Sequence, residues 1–132
     1  MADTAPTLRT LRTPLGRVRG LGAAKGGTHH WWMQRVTSIA LLPLTLWLVF
    51  SLAGMPDSTW QEVTSWIGRP FNAVLLLAFL AAAFHHTAAG LQVVIEDYLR
   101  PELARMGAIL AVKGACALLW LAATLAVLRI AV

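Results

Sequence analysis

Residues 71–95 read FNAVLLLAFLAAAFHHTAAGLQVVI, a run of 25 positions without one Asp, Glu, Lys or Arg. A helix needs about 20 apolar residues to cross a hydrocarbon layer of about 30 Å. The run is too long for a strand and too uniformly apolar for a surface helix. It reads as a membrane-spanning helix that reaches the interface at Glu96, Asp97 and Tyr98. Two similar runs flank it. Residues 36–54 carry no charge, and residues 106–128 carry one, Lys113. The predicted fold is an all-α membrane protein of three transmembrane helices. The spans are expected at about 33–54, 71–98 and 104–129. They form one anchor domain over residues 29–132, preceded by a basic tail over residues 1–28.

Composition points the same way. Of 132 residues, 58% are hydrophobic and 13% charged. A soluble domain carries about twice that charge fraction. The net charge of +5 could suggest nucleic acid, but its distribution excludes that reading. Arg9, Arg12, Arg17, Arg19, Lys25 and Arg35 precede or enter the first span, and Arg100, Arg105 and Lys113 follow the second. The connection between those spans has Arg69 against Asp57 and Glu62. This bias predicts the N-terminus and second connection on the cytoplasmic or matrix side, with the first connection and C-terminus opposite. Arg129 departs from the pattern at a helix end, where it can snorkel. The first 30 residues lack an apolar core, so no cleaved signal peptide is expected. Cys116 is the single cysteine and offers neither an intrachain disulfide nor a cluster.

Local signals mark the element ends. Trp31 and Trp32 suit an aromatic belt at the first span's entrance. Pro43 should bend that span, and Gly54, Met55 and Pro56 should end it. Trp60 and Trp66 suggest a short helix lying in the interface. Pro70 suits the first turn of the second span, and Pro101 should close it. Small residues such as Ala81, Ala88, Ala89 and Gly90 would let a neighbouring helix or a flat cofactor approach.

The second span also carries the chemistry. A histidine within a membrane is costly and usually functional. His85 and His86 point about 100° apart. Asp97 lies eleven residues after His86, about 20° past three full turns and roughly 16 Å along the axis. Val93 and Gly90 share that face, about 20° and 40° away. Gly90 would leave room for a porphyrin edge. Two readings of His86 stay open: a neutral histidine hydrogen-bonded within a bundle, or an axial ligand of haem iron. His85 is expected to pack against another helix. Arg35, followed by Thr37 and Ser38, is either an interfacial snorkelling cation or a partner for an anionic cofactor group such as a haem propionate. Tyr98, the only tyrosine, is either an interfacial anchor or a donor to a quinone carbonyl. Asp97, or its neighbour Glu96, could relay protons there or orient an Arg, or either could simply cap the cytoplasmic side; Asp97 could also meet Arg35 in one site. Lys113 is expected to snorkel.

The stretch from His86 to Pro101 resembles the membrane-anchor D subunit of succinate dehydrogenase, respiratory complex II. It has a His, a Gly four residues on, Asp-Tyr at eleven and twelve, then a basic residue and Pro. Residues 31–39, with Arg35 before two small hydroxyl residues, resemble that family's first-helix entrance. The resemblance covers residues 30–130. It implies that His86 is an axial ligand of haem b shared with a cytochrome b556-type C anchor subunit. It implies that Tyr98 and Asp97 belong to a ubiquinone site, and that Arg35 and Ser38 lie near the haem propionates or quinone. It implies a flavoprotein subunit and an iron–sulfur subunit as partners, with no catalytic centre for succinate on this chain, in a bacterial inner membrane. This chain has no Gly-rich phosphate loop and no cysteine set of its own, in keeping with that division. The alternatives are a small b-type cytochrome anchor of another respiratory enzyme, such as a fumarate reductase, and a structural membrane protein without haem.

Overall fold

The computed structural model describes residues 27–132 and the isolated position Leu15. The described residues form α1 (Gly27–Ala53), α2 (Trp60–Ile67), α3 (Pro70–Tyr98) and α4 (Glu102–Ala131), and no strand. Three of these, α1, α3 and α4, are long and apolar enough to cross a membrane. They have 27, 29 and 30 residues, about 40–45 Å at 1.5 Å per residue. Each therefore exceeds the hydrocarbon core and carries its ends into the headgroups. The basic tail expected over residues 1–28 lies outside the described residues up to residue 26. Gly27 and Thr28 already belong to the first turn of α1.

α1 continues through Pro43, whose missing N–H leaves the Ile39 carbonyl without its usual intrahelical donor. Gly54 N donates to Phe50 O at the helix end, 3.1 Å away. Thr59 is the N-cap of the next helix and closes a capping box on α2. Thr59 N and Oγ1 donate to Glu62 Oε2 at 2.7 and 2.9 Å, and Glu62 N donates back to Thr59 Oγ1 at 3.4 Å. Two orphan donors of the helix start are thereby satisfied. The backbone N–H of Thr59, then its hydroxyl, hold the Glu62 carboxyl below the usual carboxylate range. Trp66 of α2 stacks on Trp47 of α1, with ring centroids 5.5 Å apart. The buried Asn72 Nδ2 donates to Trp66 O at 2.8 Å and ties α2 to the first turn of α3. α2 is thus the short helix that the two tryptophans suggested.

α3 is the middle element. It packs against α1 on one flank and α4 on the other, while α1 and α4 do not meet. The interior this creates is small: Thr37, Asn72, Ala73 and Ala89 are the buried residues among those described. Ile39, Leu42, Leu46 and Phe50 of α1 are 58–72% exposed. In water such a surface would aggregate. In a bilayer, lipid tails or partner helices cover it at no hydrophobic cost.

Candidate functional site

The two adjacent histidines of α3 face different helices. His86 turns toward α1, where its Nδ1 lies 3.1 Å from Thr37 Oγ1. His85 lines a groove against α4. The separation of about 100° between neighbours on a helix accounts for this split.

Thr37 is only 7% exposed, and its hydroxyl hydrogen is committed to its own helix. Oγ1 stands 2.8 Å from Met33 O and 3.1 Å from Gln34 O. A hydroxyl has one hydrogen to give and lone pairs to accept. With the hydrogen directed at these carbonyls, Oγ1 accepts from the Nδ1–H of His86. That tautomer leaves the Nε2 lone pair as the free end of the ring. Gln34 Nε2 sits 3.5 Å from it, at the outer limit of a hydrogen bond. Gln34 Oε1 is buried with no partner among the described residues.

Beside His86 runs a groove of about 310 Å³ along α1, lined by Ser38, Leu41, Leu42, Thr45 and Leu46. Ser38 Oγ donates to Gln34 O at 2.8 Å. The groove is apolar apart from Ser38, Thr45 and the imidazole, and it opens on the exposed face of α1. A flat, largely apolar macrocycle with a metal at its centre fits that lining and the ligand tautomer. The residues present could take a haem, for which His86 would offer Nε2 once the Gln34 amide withdraws from it. The room expected at Gly90 lies elsewhere. A Cβ on Gly90 would stand 3.5 Å from Gln34 Nε2, so the space over this glycine holds the glutamine amide.

Exposure rises toward the end of α3. Val93 is 44% and Tyr98 82% exposed. Asp97 is also exposed. Neither Asp97 nor Tyr98 has a side-chain partner among the described residues. Glu96 instead accepts from Gln92 Nε2 at 2.7 Å. Arg35 places its guanidinium carbon 5.6 Å from the centre of the Trp31 ring, a cation–π pair. Arg35 and Asp97 form no ion pair in this single chain. His86 and Ser38 thus share one groove, while Arg35, Asp97 and Tyr98 stand on the open surface. Gln34 and Thr37 are the residues that hold His86, and sequence reading did not single them out for that task. The signal was two polar groups three residues apart at the start of an apolar helix, which places them on nearly one face.

The succinate dehydrogenase/fumarate reductase transmembrane subunits match residues 9–128 as a family. The chain belongs to that family. Relatives named succinate dehydrogenase hydrophobic membrane anchor subunit support the placement. That of Rickettsia bellii is 35% identical over 102 residues, 77% of this chain and 82% of the relative. That of Rickettsia conorii is 34% identical over 101 residues, covering 76% and 80%. That of Paracoccus denitrificans is 31% identical over 88 residues, covering 67% and 68%. No solved structure gives a significant match. As a multi-pass anchor subunit of this family, the chain is associated with the membrane and with other subunits of its complex.

Proposed function

We propose that this anchor docks the flavoprotein and iron–sulfur subunits of a succinate:ubiquinone oxidoreductase to a bacterial inner membrane, co-ligates haem b and helps to form the ubiquinone site. The observation that carries the reading is the contact between His86 Nδ1 and Thr37 Oγ1. It fixes the orientation of an imidazole that lines an apolar groove, as the outer-shell partner of a metal-ligating histidine does. A haem held there supplies one-electron chemistry between subunits. Ser38 lies in the same groove, and Arg35 lies about one turn away on α1. Both suit the neighbourhood of an anionic edge such as a propionate. The second ligand would come from a cytochrome b556-type C anchor subunit seated on the exposed face of α1.

Tyr98 and Asp97 end α3 on the side predicted to be cytoplasmic. An exposed phenol can donate to a quinone carbonyl, and a carboxylate beside it can exchange protons with water. Their exposure suits a site completed by the docked iron–sulfur subunit.

A second reading has its own observation. Gln34 Nε2 faces His86 Nε2, which suits a histidine that merely cross-links α1 to α3. A reduced-minus-oxidised spectrum of the purified complex separates the two, together with the identity of its soluble subunits. A b-type haem spectrum and succinate-oxidising partners are expected. A complex without haem would leave the cross-linking role, and fumarate-reducing partners would reassign the enzyme.

A further inference from the structure

A second groove opens on the α4 flank of α3. It has a volume of about 320 Å³, and its walls include Ala81, His85 and Ala88 of α3 and Lys113, Ala117 and Trp120 of α4. The lining is mostly apolar, with nitrogen on His85, Lys113 and the Trp120 indole.

Lys113 is the one charged residue of residues 106–128. Although it lies within a span, it has neither an ion pair nor a hydrogen bond among the described residues. It sits eight residues beyond Arg105, about 12 Å deeper along the axis. Side chains on a helix tilt toward its N-terminus. The N-terminus of α4 is the end near Tyr98, so the lysine stem leans toward those headgroups and recovers roughly half of that depth. The ammonium then stands just below the headgroup level, at the mouth of an apolar cleft. Arg100 and Arg105 make that end of the chain basic.

Charge and shape together specify the occupant. A cation below the headgroups needs an anion, and an alanine-walled cleft open to lipid takes an acyl chain. Basic pockets between transmembrane helices commonly meet both needs with one anionic lipid. We propose that the α3–α4 groove seats one anionic phospholipid from the leaflet on the Tyr98 side. Its phosphate lies against Lys113, and an acyl chain runs past Ala88 and His85 toward Ala81 and Ala117. The site is independent of the haem reading of His86, which faces the other flank.

The test uses the purified complex and spin-labelled phosphatidylglycerol against spin-labelled phosphatidylcholine, read as the motionally restricted fraction of each. Wild type should prefer phosphatidylglycerol by about fivefold, the factor that one basic side chain near a membrane surface supplies. Lys113→Gln should bring the preference close to one, and Lys113→Arg should keep it. Ala117→Trp should fill the cleft and lower the restricted phosphatidylglycerol without changing charge. The haem spectrum should stay unaltered throughout, because failure of the His86 reading would appear there and not in lipid selectivity. An unchanged preference in Lys113→Gln would overturn the proposal. If that variant does not assemble, undiminished lipid in Ala117→Trp would do so. A wild type without preference would mean that a partner helix fills the groove, and would also overturn it.

Discussion

Thr37 Oγ1 lies 3.1 Å from His86 Nδ1, across the α1–α3 contact. Thr37→Val keeps the shape of the side chain and deletes the acceptor. If His86 binds iron, losing such an outer-shell partner should weaken binding about 10- to 100-fold. Haem retention on dilution and a shifted low-temperature absorption band would report it. A variant with wild-type spectrum and retention would show that the hydroxyl does not orient the ring.

The two histidines should separate cleanly. His86→Ala should alter the axial ligation seen in the haem spectrum, and His85→Ala should leave it unchanged. The reason is geometric: His86 faces the groove beside Ser38, and His85 faces α4. Because porphyrin can persist after one ligand is lost, band position is the measurement that matters. The reverse pattern would sink the assignment.

Tyr98→Phe removes one hydroxyl from an exposed ring, so folding should be untouched. Removing one donor from a preorganised site costs about 3 kcal/mol, or about a hundredfold in rate. A second donor on a partner subunit would reduce that loss. Succinate-driven reduction of a ubiquinone analogue should fall, while reduction of an artificial acceptor by the soluble subunits should not. Full quinone reduction with unchanged affinity would leave Tyr98 as an interfacial anchor.

Orientation has a direct check. In a background with Cys116 replaced by Ala, Thr10→Cys and Asp57→Cys should label from opposite sides of the membrane. The charge bias sets this expectation. Labelling of both from one side would contradict an inside N-terminus with a single intervening crossing.

The cap of α2 predicts a pH effect with a definite sign. Thr59 holds the Glu62 carboxyl below its ordinary range, so the ionised form is the one the fold favours. This support is complete above the ordinary carboxylate range and is lost as pH falls through the depressed folded value. Thr59→Ala should cost about 1 kcal/mol of local helix stability, and hydrogen exchange at Glu62 and Val63 should speed up. The acid sensitivity of that exchange should shrink in this variant, where the backbone N–H of residue 59 still donates to Glu62, and disappear in Glu62→Gln; its persistence in Glu62→Gln would place the sensitivity elsewhere.

The long helices were legible because uninterrupted apolar runs have one common explanation in a chain with so little charge. The short α2 was legible too, from Trp60, Trp66 and the turn residues around them. The split between His85 and His86 followed from helical geometry alone. What stayed hidden was which helix each would meet. A helix that is apolar all round shows no preferred face, and lipid gives no hydrophobic drive to choose one. The partners Gln34 and Thr37 were visible as residues but not as a site, since nothing in the spacing of α1 relates it to α3. Arg35 and Asp97 share an end of the molecule, which suggested a meeting. In the folded chain Arg35 lies over Trp31, and the Thr37–His86 contact sets the register so that Asp97, eleven residues past His86, lies well beyond the level of Arg35.

The row arrangement, with α3 between α1 and α4, also sets an order of events during synthesis. Thr37 and His86 are 49 residues apart, and every residue lining the His86 groove precedes residue 87. A nascent chain that has not yet emitted α4 already contains all of that groove. The α4 flank and its lysine can only be added afterwards, so the two sides of α3 mature in sequence, the histidine groove first.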